Sequence, residues 1–111
     1  MTRVEKQEVL TTSLRREILE LVKRLRRANM TSTEVRKRLV ADFGLSTYRA
    51  KMMQEIGCYG SRLLIKVYLS GRINEAVASE ISRMEDTAKH DEVLRTLNLH
   101  WYAIGIQDLG L

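Results

Sequence analysis

Between Arg36 and Ile56 the sequence RKRLVADFGLSTYRAKMMQEI gathers short polar and cationic side chains at the start of what reads as a helix. Ser46 and Thr47 carry hydroxyls, Tyr48 a phenol and Lys51 an ammonium, all within about one and a half turns at roughly 3.6 residues per turn. Such groups suit phosphate oxygens and base edges. Hydroxyls bond phosphates, a lysine reaches the acceptors of guanine, and the free N–H groups of a helix start favour an anion. Tyr48 can meet the backbone through its hydroxyl or a thymine methyl through its ring, and Met52 offers apolar contact. Arg49 suits a phosphate, and Gln54 can pair with adenine. Arg36, Lys37 and Arg38 on the preceding helix, with Arg26 and Arg27 at the end of the first, are further candidate phosphate contacts.

Other chemistry is poorly supplied. His90 and His100 lie ten apart in different predicted elements, with no cysteine or second histidine at ligand spacing. Asp86, Asp91 and Glu92 cluster near His90, but acids belong at helix N-termini and need no further role. No phosphate-binding glycine loop and no serine elbow occurs. Cys58 is the only cysteine, which removes an internal disulfide and a cysteine-based zinc site. No catalytic residue, metal or cofactor is expected, and the chain does not read as an enzyme.

The elements that must position the candidate contacts are helical. Leu14, Ile18, Leu21, Val22 and Leu25 repeat on one face, predicting a helix from about Leu14 to Ala28 with Ser13 or Thr12 as its cap. Cations crowd its last turn, where both the helix dipole and a phosphate would welcome them. Thr31 and Glu34 have capping-box spacing at the start of a second helix, buried through Val35, Leu39 and Phe43 and stopped by Gly44. Ser46 caps a third helix that should end at Gly57. Leu39, Phe43, Leu45, Ala50 and Met53 fall inward, and Ser46, Thr47, Tyr48, Lys51, Met52 and Glu55 outward, which is the pattern of a helix-turn-helix. Val40 stands at the helix–helix contact where alanine is usual, and Ala50 where a β-branched residue is frequent.

Further helices are predicted over Arg62–Leu69, from an Asn74 cap to about Met84, and after Asp86 or Thr87 through Val93, Leu94 and Leu97. The tail LHWYAIGIQDLGL lacks a helical period and reads as irregular or as an extended strand. Its Trp101 can cap the monomer core. Alternatively Trp101, Tyr102, Ile104 and Ile106 form a dimer contact. The predicted organisation is a flexible arm over 1–12, a helical helix-turn-helix domain over 13–98 and an apolar tail over 99–111.

Length and composition fit one all-α, multi-helix domain: 111 residues, 44% hydrophobic, 5% aromatic and no proline. The net charge of +5 is unevenly spread. Residues 1–38 hold 11 Lys and Arg against 5 Asp and Glu (+6), residues 39–72 hold 5 against 2 (+3), and residues 73–111 hold 3 against 7 (−4). Basic charge gathered on one part of a small fold is the footprint of a polyanion binder, and the acidic third is left for protein contacts. No stretch has the apolar length of a signal peptide or a membrane span, which predicts an intracellular, cytoplasmic protein.

From Thr31 to about Leu97 the chain resembles the helix-turn-helix region of ParB-type partition proteins and their KorB-like repressor relatives. The resemblance rests on FGLS, the helix YRAKMMQEI, then LLIKVYLSGRI, NEAVASEISRMED and KHDEVLRTL. The family's helix closing on Gly, a basic residue and Ile or Leu is matched by Gly71, Arg72 and Ile73. Its Ala-rich helix is matched at Ala76 and Ala78, and its closing Leu-Glu-Asp step at Met84, Glu85 and Asp86. The family's Gly-Glu-Arg-Arg box is absent, so no CTP chemistry is carried over, and Cys58-Tyr59-Gly60-Ser61 replaces the proline after the recognition helix. A looser similarity to phage small-terminase subunits lies in RRANMTSTEVRKRLVADFGLS.

The resemblance implies site-specific binding through Ser46, Thr47, Tyr48 and Lys51, by a partition (centromere-binding) factor or a transcriptional regulator on the nucleoid or a plasmid. The expected partner is double-stranded DNA, bound by a homodimer. The alternative is a helical assembly or adaptor protein, such as a small packaging subunit.

Overall fold

The computed structural model describes residues 9–110, which form six α-helices and no strand. The first eight residues of the expected 1–12 arm lie outside the described residues. Residues 9–11 run onto the body, and Leu10 is buried in the core. That anchor explains why α1 (Thr12–Arg27) begins earlier than its apolar period predicts, with Thr11 as the cap receiving the Leu14 N–H at 3.1 Å. Its buried face is Arg15, Ile18, Leu19, Val22 and Leu25, so Leu19 and Arg15 take the inner places expected of Leu21 and Leu14. Asn29, in the left-handed region at φ 65°, ends this helix.

Helix α2 (Ser32–Phe43) opens on the predicted capping box: Glu34 N–H donates to the Thr31 hydroxyl and Thr31 N–H to the Glu34 carboxylate. Hydrogen bonding to the carboxylate from the Thr31 main chain first, and from its side chain next, holds the Glu34 carboxyl below the usual carboxylate range. Gly44 closes the helix at φ 67°, a conformation that favours glycine, and Ser46 caps α3 (Thr47–Tyr59). Leu39, Leu45, Ala50 and Met53 are buried as predicted and Phe43 is half-buried against the core, whereas Val40 is exposed.

Helix α3 runs past Gly57, its expected end, because Gly57 is a point of close approach rather than a stop. A Cβ there would lie 2.6 Å from Val22 Cγ1 on α1. Helix α4 (Arg62–Leu69) is capped by Ser61, α5 (Glu75–Ser82) by Asn74 and α6 (Thr87–Thr96) by Asp86. Helix α3 is the central element, packed against α1, α2 and α5.

A buried polar hub ties four helices together. The Glu75 carboxylate faces Arg15 at 3.6 Å and Arg49 at 3.4 Å, and accepts the Tyr68 hydroxyl at 2.7 Å. The Arg15 guanidinium also donates to the carbonyls of Leu10, Tyr68 and Ile73 and lies over the Tyr68 ring at 4.3 Å. With every charge paired and hydrogen-bonded, burial is tolerable.

The tail forms no strand. Residues His100–Ala103 make one 3-10 turn, Leu99, Ala103 and Ile106 pack on the core, and Leu109 is buried. Trp101 does not cap the core: it is 61% exposed, beside an Ile104 that is 74% exposed. No helix among the described residues is long and apolar enough to cross a membrane.

Candidate nucleic-acid interface

The Gly44 turn and the Ser46 cap set the start of α3 on the surface. Arg49 N–H donates to the Ser46 hydroxyl at 3.1 Å, and Leu45 anchors the turn beneath it. From this start Thr47, Tyr48 and Lys51 project into solvent on one side of the helix, with Tyr48 68% exposed. Their shared exposure follows from helical spacing, since positions 47, 48 and 51 share one side of the helix.

Met52 and Glu55 of the expected outer face are covered, as are the candidate contacts Arg49 and Gln54, and these four sequence-based placements need correction. Arg49, Met52 and Glu55 recur every three residues and so share a flank of α3. Helix α5 lies along that flank, pairing Glu75 with Arg49 at one end and Arg83 with Glu55, at 3.1 Å, at the other. Arg49 is therefore a buried ion-pair partner, Met52 is buried at 8% exposure, and Glu55 faces Arg83 instead of solvent. On the opposite flank Gln54 is buried. Its oxygen accepts from Arg36 at 3.2 Å and its amide donates to Ser32 at 3.1 Å and to the Cys58 sulfur. None of Arg49, Met52 and Gln54 is placed to meet a base or a phosphate.

The flanking contacts place cations on both sides of the exposed strip. Arg36 stands on the α2 side through Gln54, and Arg83 on the α5 side through Glu55. Lys37 and Arg38 are exposed on α2, where Arg38 pairs with Asp42 one turn on. The sequence does not mark Arg83 as a candidate, because it lies in the acidic third, far from the helix-turn-helix in chain order. Its only local signal is its position at the end of an Asn-capped helix.

Arg26 and Arg27 are exposed at the other end of α3. There they line a cleft of about 740 Å³ with Lys23, Cys58 and Arg62. The Lys23 ammonium donates to the Gly57 carbonyl at 3.2 Å. Burial holds it below the usual lysine range; Cys58 opposes that shift and Arg27 adds to it.

Ser61, His90 and Asp91 meet in space without forming a catalytic arrangement. His90 is buried, its Nδ1 accepting from the Ser61 main-chain N–H at 3.2 Å and its Nε2 lying 2.9 Å from the Met84 carbonyl. Both ring nitrogens are taken by main chain, and the Ser61 hydroxyl donates directly to Asp91 at 2.7 Å. The cluster clamps α4 to α6. Among the described residues no group of three or more His, Cys, Asp or Glu side chains could hold a metal ion.

No protein-family model, curated protein or solved structure matches this chain.

Proposed function

We propose that this protein binds double-stranded DNA, setting the N-terminal half of α3 in the major groove. The observation that carries the reading is the exposed strip Thr47, Tyr48 and Lys51, at a helix start held by the Gly44 turn and flanked by Arg36 and Arg83. Two acids on the helices beside it are paired, Glu55 with Arg83 and Asp42 with Arg38. The strip therefore presents donors and positive charge to a groove edged by phosphates. Ser46 lies at the same end, its hydroxyl engaged in the cap. Lys37 and Arg38, with Arg26 and Arg27, supply phosphate contacts at the margins.

The resemblance to partition and KorB-type repressor proteins favours a centromere-binding or transcriptional role on a plasmid or nucleoid. A single exposed helix start reads few base pairs, so two copies over paired half-sites complete the reading. Trp101 and Ile104, with Tyr102 beside them, are the surface for pairing, with Ile106 supporting it from the core. A salt-dependent mobility shift on selected against scrambled duplex tests the proposal. With about four to six phosphates neutralised, log affinity falls against log salt with a slope of roughly −4 to −5.

The exposed Leu97, Trp101 and Ile104 also favour a second reading, a helical assembly subunit that meets a protein through the acidic third. Such a protein would bind selected and scrambled duplex alike.

A further inference from the structure

We infer that the cleft between the last turn of α1, the end of α3 and the start of α4 is a phosphate-binding site, for which the Asp108 carboxylate is an internal competitor. Four cations line it, Lys23, Arg26, Arg27 and Arg62, and among the described lining residues Asp108 carries the one carboxylate. The Gly57 and Gly60 backbone contributes to its wall without side-chain bulk. Lys23 is only partly exposed, so its ammonium has lost water and gains from an anion brought alongside.

The tail delivers Asp108 to this place by three ties. Arg16 donates to the carbonyls of Gln107 at 2.7 Å and Asp108 at 2.9 Å, and Leu109 is buried immediately after. The carboxylate then accepts from Arg62 and stands 3.6 Å from Lys66. Arg62 and Asp108 both face solvent, so their pairing is weak and exchangeable. A phosphate, with more charge and more acceptor oxygens, is the stronger partner for the same cations.

The cleft also continues the proposed DNA face. Cys58 lies seven residues after Lys51, which is two turns on and the same side of α3, about 10 Å along the axis at roughly 1.5 Å per residue. One duplex can reach both. The source of the phosphate, DNA backbone or a free phosphate compound, is separable by experiment.

The test titrates the full chain with inorganic pyrophosphate and with a short duplex at low salt, reading amide shifts at Gly57, Cys58, Gly60 and Arg62 together with affinity. Wild type is expected to shift at these amides with both probes. Asp108→Asn is expected to tighten pyrophosphate binding about fivefold, the scale of one unit charge removed at about 4 Å in water. Arg26→Gln with Arg27→Gln is expected to weaken it by a similar factor. Asp108→Asn keeps the main-chain ties to Arg16, so its fold is preserved. Unchanged or weaker pyrophosphate binding by Asp108→Asn overturns the competitor. Absence of shifts at the four amides overturns the site, even if a duplex still binds through Lys51. Pyrophosphate binding at the cleft without any duplex binding supports the site, assigns it to a free phosphate compound and sinks the DNA reading alone.

Discussion

The guanidinium of Arg49 lies 3.4 Å from the Glu75 carboxylate, so the third residue of α3 points into the protein, toward the first residue of α5. Glu75 also serves Arg15 and Tyr68, and its loss leaves the buried Arg15 guanidinium without its counter-charge and takes one partner from Arg49. Glu75→Ala is expected to lower stability by about 3–5 kcal/mol, read from urea unfolding. A loss under about 1 kcal/mol would mean that the hub is incidental.

Tyr68 makes the same hub sensitive to alkali. Burial, with the Glu75 carboxylate next, raises its phenol far above the ordinary value of 10.0. The unfolded chain then loses this proton near pH 10 while the folded chain keeps it. The contribution is complete below about pH 10 and is lost as pH rises, with a slope of roughly 1.4 kcal/mol per pH unit. Unfolding free energy measured between pH 9 and 11 should show this fall, and Tyr68→Phe should flatten it. An identical slope in both proteins would remove Tyr68 as the cause.

Gly57 is required by contact, not by backbone conformation. Gly57→Ala puts a methyl 2.6 Å from Val22 Cγ1 and is expected to cost about 1–3 kcal/mol. Adding Val22→Ala should return part of that loss in a double-mutant cycle, and strict additivity would contradict the assigned clash.

Much of the fold is legible locally. The caps at Thr31, Ser46, Asn74 and Asp86 and the turn at Gly44 can be read because each depends on residues within four positions. What hides Arg49, Met52 and Glu55 is α5, a helix about twenty residues further on that returns along α3. Periodicity on α3 identifies one buried face but carries no sign of a second neighbour. Glu75 illustrates the difficulty, since an acid in a first helical turn reads equally well as a solvated end. The tail misleads in the opposite sense: Leu109 enters the core while Trp101, the larger apolar group, stays outside.

The exposed pair Trp101 and Ile104 gives the dimer proposal a clean variant, because neither residue is buried in the monomer. Trp101→Ala with Ile104→Ala should leave a folded monomer with weakened duplex binding. Deleting the whole tail is a poorer test, since it also strips Leu109 and Ile106 from the core. Light scattering that finds wild type monomeric at micromolar concentration, or the double variant still dimeric, would contradict this surface.

The central claim is that α3 reads sequence through its exposed first turns, and Lys51 is its sharpest probe. A binding selection from a random duplex library, followed by titration of wild type and Lys51→Ala on the enriched site and on scrambled DNA, tests it directly. The expected result is an enriched motif, with Lys51→Ala losing about 1–3 kcal/mol on that motif and little on scrambled duplex. Equal losses on both sequences, or no enrichment at all, would contradict it.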